Sequence, residues 1–456
     1  MLEKETLKIL AKAVERLEAG FVNLPETEAA APEPGRIAEV LQDAAERLHD
    51  NFPYFHPLYA GQMLKPPHPV ARLAYALAMW INPNNHALDG GRASSAMEKE
   101  AVAEIAAMFG WKSFLGHLCG GGTMANLEAL WVAGETQPGK TIVASEQAHY
   151  THQRISRVLR LPFEEVACDR IGRMDVRALD QRLERGGVGM VVATMGTTAT
   201  GAVDPLDKIL ELQKKHGVRV HADAAYGGYF TLVDNLGEAA RRALARLVEA
   251  DSIVVDPHKH GLQPYGCGCV LFRDAGVGRF YKHDSPYTYF SSAELHLGEI
   301  SLECSRPGAA AVALWATQRL LPLAKGGEFA AGLAKGCQAA LALYEKLRND
   351  EKWLTAFEPE LDIVVFAPRV RTGSERAATA AEISQASRRI FQEAARRGLH
   401  LALAALPIKF FPDIAKNAAG DKETVTCLRS VLMKPEHADW MERIWAILSE
   451  AAKNRD

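Results

Sequence analysis

The stretches VGMVVATMGTT (188–198), VRVHADAA (218–225) and SIVVDPHK (252–259) are apolar runs that each stop on small or polar residues. Runs of Val, Ile and Ala with no polar alternation suit strands buried on both faces. Between them lie LDKILELQKKHG (206–217) and EAARRALARLVEA (238–250), whose apolar residues recur at helical spacing; Gly217 closes the first. Strands alternating with helices predict a mostly parallel sheet sandwiched by helices. The same alternation extends upstream through a helix at MEKEAVAEIAAMFGW (97–111), a strand at TIVAS (141–145) and a helix at VRALDQRLERGG (176–187). Downstream, CGCVLFRD (267–274) follows the third strand too soon for a crossover helix, which predicts an antiparallel neighbour.

Working outward, the N-terminal MLEKETLKILAKAVERLEAG is an amphipathic helix, followed by a proline-rich, acidic linker, LPETEAAAPEPG (24–35). Its apolar stripe must be covered by the chain's own core or by a partner copy. Beyond a helical stretch ending near Arg348, LDIVVF (361–366), LHLAL (399–403) and TVTCLRSVLM (424–433) are strands, with a helix over about 380–397. This predicts an N-terminal helical segment (1–80), a large α/β domain (81–325) and a small α+β C-terminal domain (326–456).

Composition narrows the function classes. The 456 residues are 48% hydrophobic and 24% charged, as in ordinary globular proteins. Lys plus Arg number 53 against 56 Asp plus Glu, so no general basic field draws in nucleic acid or anionic membrane. No apolar run approaches the length of a membrane span, and the N-terminus lacks a signal peptide's apolar core. Seven scattered cysteines do not form a secreted disulfide framework, which points to a reducing compartment such as the cytoplasm. Cys267 and Cys269 stand one residue apart without further ligands nearby, so no metal is expected.

Ligands of open α/β sheets bind beyond the carboxyl ends of the strands. Those ends carry Ala148-His149-Tyr150, Gly196-Thr197-Thr198, Asp223-Ala224-Ala225 and Asp256-Pro257-His258-Lys259. Upstream, Gly120-Gly121-Gly122-Thr123 opens a helix, where small residues and free N–H groups suit an anion such as phosphate. Taken singly, each has an ordinary reading: a tight turn for the glycines, a solvated lysine, an aspartate cap, a strand-end histidine. Taken together, a carboxylate and a lysine one βαβ step apart can meet a flat heteroaromatic cofactor from two sides.

In this order the residues resemble the pyridoxal-phosphate-dependent group II amino-acid decarboxylases, which have the aspartate-aminotransferase fold, fold type I. The resemblance rests on His221-Ala222-Asp223-Ala224-Ala225-Tyr226-Gly227-Gly228, Asp256-Pro257-His258-Lys259 and Gly196-Thr197-Thr198, and runs from about Asn82 to Arg429. It implies pyridoxal 5'-phosphate as cofactor, an L-amino acid as substrate, carbon dioxide and an amine as products, and a homodimer. It further implies that Lys259 carries the cofactor as a Schiff base, His149 stacks on one ring face and Ala225 lies under the other. Asp223 would keep the ring nitrogen protonated; Gly121, Gly122 and Thr123 would cradle the phosphate, with Asp256 and His258 nearby and Thr198 by the ring hydroxyl.

The substrate residues are less sharply marked. Phe55, His56 and His86 fall where the family lines its pocket, which suits an aromatic substrate, whereas Arg429 could pair with the carboxylate of an acidic one or equally serve in a structural ion pair. LDGGRASSAMEKE (88–100) matches the family's pattern only in part, at Ser95 and Glu98. The segment 285–306, SPYTYFSSAELHLGEISLECSR, is short and lacks an obvious counterpart of the family's proton-donating tyrosine; Tyr287, Tyr289 and His296 are the substitutes. Loss of that donor would favour the related outcomes, aldehyde formation or carbon–carbon cleavage of the sphingosine-phosphate-lyase kind. A catalytically silent homologue is the non-enzyme alternative.

Overall fold

The computed structural model describes residues 4–21, 24–25, 33–86, 88–282, 300–371, 377–415 and 423–453. Seven strands form the large sheet: β1 (Leu115–Cys119), β2 (Thr141–Ser145), β3 (Phe163–Val166), β4 (Val188–Thr194), β5 (Arg219–Asp223), β6 (Ser252–Val255) and β7 (Gly268–Phe272). Their order is β1-β7-β6-β5-β4-β2-β3. Neighbours are parallel except β7, which runs antiparallel to both β1 and β6, as its short connection requires. Every residue of β2, β4 and β6 is buried, which explains their unbroken apolar sequences.

The covering helices follow their sequence signals. Leu206–His216 buries Leu206, Ile209, Leu210 and Leu212, carries Lys214, Lys215 and His216 in its last turn, and ends at Gly217 in the left-handed conformation with φ 70°. In the small domain, β8 (Trp353–Thr355), β9 (Ile363–Pro368), β10 (Ala402–Pro407) and β11 (Thr424–Val431) make an antiparallel sheet ordered β10-β11-β9-β8. The helix Ala380–Arg396 packs against it, entered by a reciprocal Thr379–Glu382 capping box.

Several expectations shift. The strand expected at 399–403 begins instead at Ala402: Leu399 and Leu401 are buried, and His400 makes a lone bridge with Tyr59. LDGGRASSAMEKE is helical from Leu88 onward, interrupted at Gly91, and merges with the expected helix into Leu88–Met108. A further helix, Pro34–Leu48, follows the acidic linker and has no buried residue.

The returning segment after residue 300 is pinned by an internal ion pair. Arg306 Nη1 lies 2.6 Å from both Glu98 Oε1 and the Leu118 carbonyl. Glu98 also accepts from Asn85 Nδ2 at 2.6 Å and Leu118 N at 3.0 Å, so the two charges are paired and hydrogen-bonded, Arg306 Nε alone lacking a partner among the described residues, although each residue is at least 95% buried. This joins the helix Leu88–Met108, the end of β1 and the return segment. Removing one partner strands the other: Arg306→Ala should lower the unfolding free energy by about 3 to 5 kcal/mol, and Arg306→Met with Glu98→Gln by clearly less. Urea denaturation of the single and double variants measures the difference.

Candidate active site

The carboxyl ends of β4, β5 and β6 deliver Thr198, Asp223 and Lys259 to one side of the sheet, and the turn after β1 brings Gly120–Thr123 to meet them. They surround a cavity of about 550 Å³. Gly121, Gly122, Thr123, His149, Thr198, Asp223, Ala225, Asp256, His258 and Lys259 all line it, so the ten residues marked for the cofactor meet in one place.

The glycines are required by close approach. Gly121 has φ 144°, and a Cβ there would stand 3.1 Å from His258 Cε1. A Cβ on Gly122 would stand 2.6 Å from Asp256 Oδ2. From behind, Gly268 of β7 packs so closely that its own Cβ would lie 2.6 Å from Gly121 Cα. The helix Gly122–Thr136 therefore begins against the cavity with no side chain capping its first N–H groups.

Asp223 is 5% exposed and fully engaged on the protein side: Oδ2 meets His152 Nε2 at 2.8 Å and Oδ1 accepts from Ala225 N at 3.2 Å. Burial by itself would raise its pKa. The hydrogen bond and positive field of His152, with help from Lys259, outweigh burial and hold the carboxyl below its ordinary range. Asp223 is thus an ionised carboxylate fixed in direction. Burial pushes His221 down to about 3, and its ring spans Ser252 Oγ and Asn126 Oδ1, each at 2.8 Å.

Lys259 Nζ lies 3.0 Å from Asp256 Oδ2, with His258 Nε2 at 3.6 Å from the same oxygen. Asp256 Oδ1 and His258 Nδ1 are buried without a hydrogen-bond partner, so polar capacity at the cavity wall is unspent. His149 Nδ1 accepts from Thr151 N at 3.2 Å, its ring lies 4.3 Å from that of Tyr150, and burial lowers its pKa. These features suit pyridoxal phosphate: an anion-ready helix start, a primary amine, an ionised carboxylate and unspent polar atoms around a cavity of adequate size.

The substrate residues are not gathered in the same way. Arg429 is 4% exposed, and its guanidinium donates to the carbonyls of Ala199, Gly61 and Thr198 at 3.0, 3.1 and 2.7 Å. A buried cation saturated with carbonyls is a structural clasp, which corrects its assignment to a substrate carboxylate. His56 packs its ring 4.9 Å from Trp440, and His86 Nδ1 faces Cys304 Sγ at 3.1 Å. Ser95 is 4% exposed; none of these three lines the cavity. Tyr287, Tyr289 and His296 lie outside the described residues. Sequence reasoning did not single out His152, whose place three residues after His149 in a helix's first turn is the available signal, or Glu303, which lines the cavity and accepts from Gly120 N at 2.8 Å.

Comparison with known proteins points the same way. Residues 135–369 match the family model described as the pyridoxal-dependent decarboxylase conserved domain. The chain is 27% identical to L-tyrosine decarboxylase of Enterococcus faecium, over 63% of this chain and 64% of that protein, so the match spans less than two thirds of that relative. It is 29% identical to a probable L-tyrosine/L-aspartate decarboxylase of Methanothermobacter thermautotrophicus, covering 67% and 82%. Among solved structures, mouse CSAD in apo form superposes with a TM-score of 0.76 at 21% identity, over 99% of this chain and 100% of the other, a likeness of fold.

The Gly122 contact yields a prediction. Gly122→Ala forces a methyl against Asp256 Oδ2, displacing the partner of Lys259 and spoiling the helix start, so affinity for pyridoxal phosphate should fall by about tenfold or more, equivalent to ~1.4 kcal/mol. Equilibrium dialysis of the apoprotein against the cofactor reads the change.

Proposed function

Because the chain belongs to the pyridoxal-dependent decarboxylase family, we propose that it removes the α-carboxylate of an L-amino acid, aromatic ones preferred, releasing carbon dioxide and an amine. The observation that carries this reading is the convergence of the Lys259–Asp256 and His152–Asp223 pairs on one cavity behind the uncapped helix start. Pyridoxal phosphate, when bound, supplies an electron sink for the pair released as a bond at the substrate's α-carbon breaks.

Each role follows from what the side chain can do. Lys259 provides the amine that attaches the cofactor, and Asp256 accepts from that amine at 3.0 Å, holding it at the cavity wall. Gly121, Gly122 and Thr123 would receive the phosphate on free helix N–H groups, bordered by Asp256 and His258. His149 and Ala225 would confine the ring, and Thr198 would stand near its hydroxyl. Asp223, charged and aimed by His152, would keep the ring nitrogen protonated, which is what would let the ring accept electrons.

An aromatic substrate is favoured over an acidic one by charge. Among the described residues lining the cavity there is no arginine, Glu303 adds negative charge, and Arg429 is spent on backbone carbonyls. His149 and Tyr150 offer aromatic surface instead, in keeping with the tyrosine decarboxylase relatives.

The reading includes a homodimer. Ile37, Val40, Leu41 and Leu48 stand exposed on the helix Pro34–Leu48, as do Leu7 and Ile9 on the helix Lys4–Glu18, an apolar surface that a second copy would cover. A cytoplasmic site of action fits seven free cysteines, and no described helix is long and apolar enough to cross a membrane.

Two experiments test the chemistry. Wild type reconstituted with pyridoxal phosphate and reduced with borohydride should carry the label on Lys259 alone, and Lys259→Ala should carry none and release no carbon dioxide from L-tyrosine; label on another lysine overturns the assignment. Asp223→Asn should keep the cofactor bound while single-turnover decarboxylation falls by about a hundredfold or more, ~2.7 kcal/mol of barrier. Because the pKa of Asp223 is lowered by folding, its charge persists down to pH values below those of an ordinary aspartate. The acid limb of the wild-type rate profile should therefore come from another group.

A further inference from the structure

A second cavity, of about 560 Å³, shares no lining residue with the first. It lies where the N-terminal strap Lys65–Arg72, the start of the helix Glu328–Arg348, the turn Lys434–Glu436 after β11 and the loop His260–Leu262 meet. Four cationic side chains line it, Lys65, Arg72, Lys335 and Lys434, against two carboxylates, Glu328 and Glu436, both exposed at the rim.

The inner cations lack charge partners. Lys434 is 4% exposed; its Nζ donates to the Tyr59 carbonyl at 2.5 Å and stands 5.3 Å from the Tyr59 ring centre. Lys65 Nζ donates to the Met433 carbonyl at 3.4 Å. Among the described residues no carboxylate oxygen lies within 4.0 Å of either amine, and Arg72 Nε is buried with no partner at all. The nearby Asp362 accepts from the Tyr226 hydroxyl through Oδ1 at 2.5 Å, while its Oδ2, 3.3 Å from His260 Nε2, makes no hydrogen bond and acts on Lys65 only through its field. Burial lowers Lys65 to about 8 and Lys434 to about 7, and the charge of Lys65 adds to the lowering of Lys434. A buried cation such as Lys434 is normally paired, because an unpaired charge away from water is strongly unfavourable; Lys65 and Arg72 are half-buried beside it.

We propose that this cavity is a second ligand site, for a small molecule bearing a carboxylate or phosphate head on an apolar body. The head would sit between Lys65 and Lys434 with Arg72 in reach, each amine still having N–H groups free for it. The body would lie on Phe55, Pro67, Leu321 and Phe329, which line the same cavity. Bound there, the ligand would join the strap, the small domain and the loop that begins one residue after Lys259.

Isothermal titration of the cofactor-loaded protein with hexanoate and with butyl phosphate tests this, because cofactor occupies the phosphate cradle of the first cavity. Saturable binding of either probe, one per chain, is expected, and the tighter probe names the head group. Lys434→Met should weaken binding by about tenfold or more, as for loss of one charge-assisted hydrogen bond. Glu436→Gln, at an exposed rim position, should tighten it by a few fold. Should Lys434→Met fail to fold, Lys65→Met carries the same expectation. No saturable heat with either probe, or unchanged binding in the lysine variant and in Glu436→Gln, overturns the proposal.

Discussion

An ionised carboxylate held almost completely out of water at the end of β5 is the constraint around which the site is arranged. Asp223 can remain charged there only because His152 and the Ala225 N–H occupy its two oxygens. His152 can reach it only because the helix Thr151–Leu159 starts immediately beyond β2, two strands away in the sheet. His221, directly behind on β5, is kept neutral by burial and tied to Ser252 of β6 and Asn126 of the helix after β1. One charge thus recruits polar groups from four units of the fold that are distant in sequence, and the surrounding order follows from satisfying it.

The glycines complement that arrangement from the other side. Gly121 and Gly122 let backbone approach Asp256 and His258 to distances that no side chain would permit. The lysine loop and the helix start are consequently held at separations set by main-chain contact. Main-chain contact is stiffer than rotamer packing, which suits a site that must hold a flat ring in one orientation.

How much of this is legible in the sequence depends on the range of the forces involved. Buried parallel strands advertise themselves through unbroken apolar runs, and Gly217 and Thr379–Glu382 mark helix ends through local chemistry. Strand ends then place Lys259 and Asp223 without knowledge of any long-range contact. β1 was not legible, because LGHLC carries His117 in its middle; that ring is satisfied only by the Leu118 carbonyl and by Glu128, both at 2.8 Å. β3, FEEV, has two exposed acidic residues and no apolar run to read. Arg429 is ambiguous for a similar reason: a lone arginine in a strand has the same letters whether it faces a substrate or three carbonyls contributed from residues about 230 and 370 positions away. The second cavity is assembled from four distant segments, none of which carries a motif.

The antiparallel strand β7 has a further consequence, for the order in which the molecule can be completed. β2 to β6 pair through connections local in sequence, whereas β1 finds its sheet partner only in β7, with Leu115 opposite Phe272. Closing a loop of that length is slow compared with forming the nearer pairs. Gly268 of β7 is also the surface on which Gly121 rests. A nascent chain that has not yet produced β7 can therefore possess the aspartate of β5 and the lysine loop after β6, yet has nothing on which to set the anion-binding turn. On the proposed reading, affinity for the phosphate is in this sense a property of the finished sheet, so ligand binding there would discriminate whole chains from truncated ones.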